Sequence, residues 1–222
     1  VIKPNHGGSS INVFVINNQE ELQEKCQHLF SIYETIIIQP YQMGPELTIV
    51  VLNNAGQTIA LPATETELDQ AIGIFDYRSK YLPTDACKHF TPPRLSAVEL
   101  QQINQRAIAI FDQLKLRDFA RFDGYYCPEK GFICNDINPC SGFEENSFFF
   151  KQASYCGLTH KSLLALLISQ ACKRQGLATP AQSHNNNSNK QNVYVIMGGD
   201  NAKRQVSLIS GRNVWLKLLA SD

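Results

Sequence analysis

The chain has 222 residues, of which 43% are hydrophobic and 18% are charged, and this composition is typical of a globular protein. Its 20 Lys and Arg residues equal its 20 Asp and Glu residues, so it lacks the basic excess of proteins that bind nucleic-acid phosphates. No apolar run approaches the roughly 20 residues that span a bilayer. We therefore expect neither a nucleic-acid partner nor a membrane segment.

Seven cysteines are scattered along the chain without a C-x-x-C pair, which argues against a disulfide framework or a zinc site. Reduced thiols are typical of cytoplasmic proteins, so we expect a cytoplasmic location. The sequence has no initiator methionine and no signal peptide, and it opens within a predicted strand. We expect it to be part of a longer protein.

Apolar periodicity predicts a mixed α/β fold, beginning with a helix that Asn18 caps. Segments rich in β-branched residues predict strands at residues 35–39, 46–52 and 58–61, and the last two are joined by a hairpin turn. Residues 62–95 are rich in proline and polar side chains, so we predict a long loop there.

The second half of the chain continues with a helix at residues 96–115, strands at 119–127 and 131–137, and a helix at 159–172. The composition then changes at residues 173–192, which are rich in Asn and Ser and cannot bury apolar area.

This change predicts three parts: a main domain at residues 1–172, a flexible linker at 173–192, and a second domain that starts at 193–222. The last part is predicted to open with a strand at 193–197 and a helix from about Val206.

A glycine-rich loop follows the first predicted strand. Gly7 and Gly8 let the backbone approach an anion closely, Ser9 adds a hydroxyl group, and Lys3 supplies a positive charge. The spacing is not that of a P-loop. The pattern suits a flexible loop over phosphates, although a Gly-Gly-Ser-Ser turn by itself is typical of a plain surface loop.

Two further segments carry groups that suit a nucleotide. Gln39 begins a segment that runs from a strand into a loop, and the exposed backbone of such a segment can form hydrogen bonds with the edge of an adenine ring. Glu46 can accept hydrogen bonds from ribose hydroxyls, although by itself it is typical of a solvated carboxylate. Arg78, Lys80 and Tyr81 combine cations with an aromatic ring in the long loop, which suits either a polyphosphate or an aromatic surface loop.

The strongest chemical pattern lies on the two strands after the long helix. Arg121 and Asp123 are two residues apart and share one side of a strand, as do Asp136 and Asn138 on the next strand. If the two strands pair, the four polar groups converge, and their oxygen atoms suit Mg²⁺ or Mn²⁺. The alternative is a polar strand edge that faces solvent.

Several motifs occur in a defined order: Lys3-Pro4 with Gly8-Ser9-Ser10, Gly44-Pro45-Glu46-Leu47-Thr48, Asp76-Tyr77-Arg78-Ser79-Lys80-Tyr81, Ala120-Arg121-Phe122-Asp123 and Asp136-Ile137-Asn138-Pro139. In this order they resemble the D-alanine–D-alanine ligase family of the ATP-grasp superfamily. The resemblance covers about residues 1–170 and only the later part of that fold, which implies a mixed or antiparallel sheet with flanking helices.

The tail at residues 193–211 is similar to the opening strand, loop and helix of the same family. That segment belongs to the Rossmann-like domain that precedes the ATP-grasp domain. The resemblance therefore implies that the chain holds the C-terminal part of one ligase copy followed by the N-terminal part of the next, as in a tandem protein. The assembly that it implies is a homodimer or a pairing of tandem domains. A circular permutation fits less well, because most of the substrate domain is missing from both ends.

The resemblance also implies ATP and two Mg²⁺ or Mn²⁺ ions as cofactors, and amino acids as substrates. It implies nucleotide contacts by Lys3, Ser9 and Lys80 at the phosphates, Gln39 at adenine and Glu46 at ribose. It implies three metal ligands, Asp123, Asp136 and Asn138. It implies catalytic roles for Arg121, Gly142, Lys80 and Ser9, and substrate contacts for Ser147, Phe148, Tyr81 and Gln205.

The activity that the resemblance implies is the joining of two D-alanine molecules through an acyl phosphate, for peptidoglycan and the cell wall. Six positions depart from the family pattern: Asp136 replaces a glutamate, Pro139 a threonine, Ser141 a proline, Phe143 a methionine, and Gln39 and Gln205 a glutamate each. Two interpretations remain, a ligase that acts on D-alanine or another amino acid, and a non-catalytic module that binds a nucleotide or serves a structural role. Under both, we expect the isolated 222-residue piece to be inactive.

Overall fold

The structure is a computed structural model, and it describes residues 1–8, 10–54, 56–68, 87–144, 146–179, 193–200 and 203–219. The chain forms two compact units, Val1–Leu166 and Leu167–Asp222. The strands within the described residues are β1 (Ile2–Pro4), β2 (Ile36–Ile38), β3 (Glu46–Asn54), β4 (Gln57–Ala60), β5 (Thr64–Leu68), β6 (Cys87–Phe90), β7 (Phe119–Cys127) and β8 (Gly131–Asn138). The helices are α1 (Gln19–Phe30), α2 (Ala97–Gln113), α3 (Phe148–Tyr155), α4 (His160–Arg174) and α5 (Arg204–Leu219).

The strands form two sheets in which every neighbouring pair is antiparallel. β1 and β2 make a small sheet in which Lys3 lies opposite Ile37. The larger sheet has the strand order β6-β5-β3-β7-β8, and β4 pairs with the far end of β3. The predicted α/β fold with an antiparallel sheet and flanking helices is confirmed.

One face of the larger sheet packs against α2 and forms the main core. The buried side chains of the helix are Ile103, Ala107 and Phe111, and Phe122 and Phe132 of the sheet join the same cluster. The helix begins with a capping box, since Ser96 accepts from the backbone of Glu99 while the Glu99 carboxylate accepts from the backbone of Ser96. On the opposite face of β7, Phe119 stacks on Phe149 of α3 with ring centroids 4.6 Å apart, and the polar side chains of Arg121 and Asp123 follow along the strand.

The prediction of a long loop at residues 62–95 is wrong where the structure describes that range, because β5 and β6 lie within it. The sequence did not predict β5 because its residues are mostly polar, and a polar sequence is not typical of a buried strand. Thr64, Glu65 and Thr66 are all less than 9% exposed, and each has a hydrogen-bonding partner. Arg94 donates to both carboxylate oxygens of Glu65, from Nη2 at 2.6 Å and from Nε at 3.2 and 3.4 Å. This polar strand can therefore be buried, because each of its buried polar side chains has a hydrogen-bonding partner.

The second unit contains α5, which confirms the predicted helix near Val206. Met197 packs so closely beneath Gly211 of this helix that a Cβ atom there would lie 2.5 Å from the Met197 Cβ. The strand predicted at residues 193–197 is not formed in the described structure, because no neighbouring segment supplies a hydrogen-bonding ladder. No helix among the described residues is both long and apolar enough to cross a membrane.

Candidate active site

Four side chains converge where β7 and β8 pair, and we call Arg121, Asp123, Asp136 and Asn138 the β7–β8 polar cluster. Arg121 lies directly opposite Asn138, and Asp123 lies directly opposite Asp136. The strands pair through the turn at residues 127–131, as the sequence predicts. All four side chains therefore lie on the sheet face that α2 does not cover.

Asp123 is the centre of this cluster. Its Oδ2 atom accepts from Arg121 Nε at 3.1 Å and from Asn138 Nδ2 at 3.0 Å, and Arg121 Nη2 lies 3.0 Å away. Asn138 Nδ2 also lies 3.3 Å from Asp136 Oδ2. A single amide group thus bridges the two carboxylates, and a guanidinium group neutralises one of them.

Two contacts of the cluster were missed from the sequence. Thr48 on β3 donates its hydroxyl to Asp123 Oδ1 at 2.9 Å, and Arg121 Nη1 lies 3.4 Å from the buried Ser141 Oγ. Thr48 lies two residues after Glu46, so alternation along β3 gave a signal that both side chains share one face. No comparable signal marked Ser141, which lies in the loop after β8.

A β-bulge determines which residues of β8 reach the cluster. Gly124 pairs with Cys134 and Asp123 pairs with Asp136, so Asn135 is an extra residue without a partner on β7. Phe132 and Cys134 face the α2 core, whereas Asp136 lies beside Asn138 on the other face. The extra residue therefore turns Asp136 away from the core and towards Asp123.

The electrostatic effect of the cluster extends to its neighbours. Burial raises the pKa of the Cys134 thiol to about 11, and the negative charge of Asp123 adds to the shift. Burial also raises the pKa of Tyr125 to about 12, with Glu46 contributing further. Both neighbours are therefore neutral at physiological pH.

The segment predicted to meet a nucleoside lies at one end of the larger sheet. Gln39 Nε2 donates to Asn135 Oδ1 of the bulge at 2.9 Å, so it joins the end of the small sheet to β8. Glu46 begins β3 and lies opposite Tyr125. Gly44 has φ of 131°, and a Cβ atom there would overlap the carbonyl oxygen of Tyr126. The segment therefore passes close to the end of β7 and the cluster.

The predicted phosphate-binding residues are only partly described. Lys3 lies on β1, in the small sheet, and among the described residues no hydrogen bond or ion pair joins it to the cluster. Ser9, Lys80 and Tyr81 lie outside the described residues. Their nucleotide and substrate roles stay predictions.

The predicted substrate residues begin α3 and the loop before it. Ser147 caps α3 by accepting from the backbone of Phe150 at 3.5 Å. The ring of Phe148 meets the ring of His89 edge to face, with centroids 5.1 Å apart. A Cβ atom at Gly142 would overlap the Glu144 carboxylate. The substrate contacts of Ser147 and Phe148 and the catalytic role of Gly142 stay predictions.

Gln205, the remaining predicted substrate residue, is exposed near the start of α5 in the second unit. Its contact with a substrate stays a prediction.

The donor set of the cluster fits Mg²⁺. Two carboxylates and one amide oxygen are hard ligands, and Mg²⁺ is usually held by one or two carboxylates together with substrate phosphates. No group of three or more His, Cys, Asp or Glu side chains in the described part of the chain could hold a metal. A magnesium site at the cluster would therefore need further ligands, such as phosphate oxygens.

Comparison with known proteins assigns the family. The model for the D-ala D-ala ligase C-terminus matches residues 1–169. The chain belongs to the D-alanine–D-alanine ligase family. It is 30% identical over 175 residues to the D-alanine–D-alanine ligase of Fervidobacterium nodosum, covering 78% of this chain and 54% of that protein. The chain thus spans about half the length of the curated relatives it matches.

Solved structures of the D-alanine–D-alanine ligase family share the fold. The VanG D-Ala:D-Ser ligase of Enterococcus faecalis is 28% identical with a TM-score of 0.65, over 76% of this chain and 48% of that one. The D-alanine–D-alanine ligase of Bacillus anthracis complexed with ATP is 19% identical with a TM-score of 0.62, over 79% of this chain and 53% of that one. These neighbours establish the ATP-grasp fold for the larger unit.

Proposed function

We propose that the full-length protein is an ATP- and Mg²⁺-dependent carboxylate–amine ligase that joins two amino acids, D-alanine or another, into a dipeptide. The observation that carries the proposal is the β7–β8 polar cluster. Its two carboxylates, its amide and its guanidinium lie on one sheet face, and this face adjoins the strand that begins with Glu46.

In this proposal Asp123, Asp136 and Asn138 hold two Mg²⁺ ions, which supply positive charge to the phosphates of ATP. Gln39 and the backbone beside it meet adenine, and Glu46 accepts from the ribose hydroxyls. Catalysis by this chain is then mainly positioning and charge stabilisation.

Lys3, Ser9 and Lys80 cover the phosphates in the same proposal. Tyr81 contacts the first amino acid in this copy, and Gln205 takes the place of the residue that holds the ammonium group of the first amino acid in the next copy.

Arg121 and the loop after β8 are assigned to the transferred group. The Arg121 guanidinium already faces Asp123 and Ser141, so it is held in place to stabilise negative charge on the reacting oxygens. Gly142 contributes a backbone N–H to the same oxygens. Ser147 and Phe148 begin α3, where the free N–H groups of the first turn suit the carboxylate of the second amino acid.

The reaction that these assignments imply proceeds in two steps. A carboxylate oxygen of the first amino acid attacks the γ-phosphorus of ATP, the bond to ADP breaks, and an acyl phosphate forms. The second amino acid, once its ammonium group has lost a proton, attacks the acyl carbon. Phosphate leaves with the bonding electrons, a further proton leaves the nitrogen, and the peptide bond is complete.

We place this reaction in a reducing cytoplasm, where the dipeptide serves peptidoglycan synthesis. All seven cysteines are free, which agrees with such a compartment. The working protein pairs two ligase-like copies, as a tandem chain or a homodimer. The 222-residue piece alone is therefore predicted to be inactive.

A non-catalytic nucleotide-binding or structural module is the second candidate. One observation favours it: Asn138 turns its amide nitrogen, not its oxygen, towards both carboxylates. Asp136 is also exposed and has a shorter side chain than the family's glutamate. In a module of this kind, the amide would take the place of the cations.

The test is ADP release by the full-length protein with a panel of D- and L-amino acids, with Mg²⁺ or with a chelator. We expect Mg²⁺-dependent release that needs a substrate pair, and Asp123→Asn is expected to lower the rate about a hundredfold. Glu129→Gln, an exposed carboxylate of the β7–β8 turn, is the matched control and is expected to leave it unchanged. Nucleotide binding without ADP release for any pair would favour the second candidate in its nucleotide-binding form, and the absence of both would contradict the ligase proposal and leave only a structural module.

A further inference from the structure

The hydrogen-bonding edge of β3 has a gap between its two partner strands. β4 pairs with this edge from Val51 onwards, and β5 pairs with it up to Thr48. Leu61, Pro62 and Ala63 separate β4 from β5, and the Leu61 N–H donates to the Val50 carbonyl at 2.8 Å. The Val50 N–H faces this gap, and the Thr48 carbonyl lies at its other end, where the pairing with β5 stops.

Gln152 of α3 fills the gap with its side chain. Its Oε1 atom accepts from the Val50 N–H at 2.9 Å, and its Nε2 atom donates to the Thr48 carbonyl at 2.8 Å and to Thr64 Oγ1 at 3.0 Å. The residue is 0% exposed. A primary amide has both a donor and an acceptor, so here it replaces one peptide group of the ladder.

Both ends of this connection reach residues assigned to the reaction. Thr48, whose main chain Gln152 holds, donates its hydroxyl to Asp123 Oδ1 at 2.9 Å. On the other side, Gln152 belongs to the helix that Ser147 caps. The buried Gln152 side chain thus links α3, the helix that Ser147 caps, to β3, whose Thr48 hydroxyl contacts Asp123.

We propose that Gln152 is a positioning residue of the ligase site: it fixes Thr48 so that the Thr48 hydroxyl orients Asp123 for the metal-bound nucleotide. The inference rests on the proposed function. A positioning role for Gln152 affects the metal affinity of the site, whereas a purely structural role would affect the stability of the fold but not this affinity. Outer-shell partners of metal ligands commonly change metal affinity by about 10- to 100-fold.

The test measures Mn²⁺ affinity by electron paramagnetic resonance in the full-length protein with a non-hydrolysable ATP analogue, below the melting temperature of every variant. Gln152→Met keeps the length of the side chain but removes its donor and acceptor. We expect Gln152→Met and Thr48→Val each to weaken Mn²⁺ binding about tenfold. Their double mutant should lose less than the product of the two effects, since both act on Asp123.

Ile103→Val, a buried change on α2 at the other face of the sheet, controls for general destabilisation and is expected to keep the affinity of the parent protein. A Gln152→Met protein that binds Mn²⁺ as tightly as the Ile103→Val protein would overturn the inference and leave the proposed function intact. A parent protein that binds no Mn²⁺ with the analogue would refute the proposed function and this inference together.

A second measurement needs no variant. If Gln152 couples the ladder to the site, Mn²⁺ and the analogue should slow hydrogen exchange at the Val50 N–H more than at the Ala107 N–H of α2. Equal slowing at both amides would overturn the inference.

Discussion

Asp136 lies directly opposite Asp123, although Cys134, only two residues earlier on the same strand, faces the other side of the sheet. The extra residue Asn135 causes this change of face. Its side chain accepts from Gln39 at 2.9 Å, so the bulge also contacts the segment that we assign to the nucleoside.

Deletion of Asn135 is predicted to keep Mg²⁺-dependent nucleotide binding. Cys134 and Asp136 would then be neighbours in a regular strand, so Asp136 would still face Asp123. Asn135→Ala keeps the bulge, and both variants lose the bond to Gln39, so we expect a similar, small loss of affinity in each. Calorimetric titration with Mg²⁺ and ATP compares the two variants, and loss of binding in the deletion variant alone would contradict the register given to the cluster.

Arg121→Lys is predicted to lower the ligation rate by about 10- to 100-fold while nucleotide binding changes little. The lysine keeps the positive charge, but it loses the planar group that reaches Asp123 and Ser141 together. Steady-state kinetics of the full-length protein separates the rate from the affinity. A variant with a parental rate would show that charge alone suffices.

The thiol of Cys134 is predicted to resist alkylation until strongly basic pH. Burial and the charge of Asp123 raise its pKa to about 11 from the usual 9.0. A raised thiol pKa favours the protonated folded state, so its contribution to stability is present below pH 9 and is lost as the pH rises towards 11. Alkylation of Cys134 followed by mass spectrometry between pH 8 and 11 tests the shift, and half-maximal reactivity near pH 9 would contradict it.

The pair of Glu65 and Arg94 is predicted to make stability depend on acid pH. Hydrogen bonds from Arg94 hold the pKa of the Glu65 carboxyl below its usual value of 4.5. A lowered carboxyl pKa stabilises the fold above pH 4.5, and this contribution is lost as the pH falls through the folded-state pKa.

Urea unfolding of the parent protein and of Arg94→Gln across this range measures the dependence. We expect a weaker loss on acidification in the variant, since its Glu65 no longer has the partner that lowers the pKa. Parallel curves for the two proteins would contradict the assignment.

The sequence alone predicted which residues form the β7–β8 polar cluster, but not the structural features around it. Alternation along β7 and β8 correctly predicts which side chains meet, because residues two apart share a face on a paired strand. The bulge at Asn135, the strand β5 and the amide of Gln152 were not predictable in this way. Each depends on a hydrogen bond between residues far apart in the chain, such as that of Gln152 to Thr48. Local periodicity of the sequence does not predict such long-range bonds.

The central claim is that the β7–β8 polar cluster holds the metal ions of a bound nucleotide. The most direct measurement is anomalous X-ray diffraction from crystals of the full-length protein soaked with Mn²⁺ and a non-hydrolysable ATP analogue. The account predicts an anomalous peak within coordination distance of the Asp123 and Asp136 carboxylates, with the analogue's phosphates beside it. Manganese and nucleotide bound at another place, with the cluster still closed by Asn138, would contradict it.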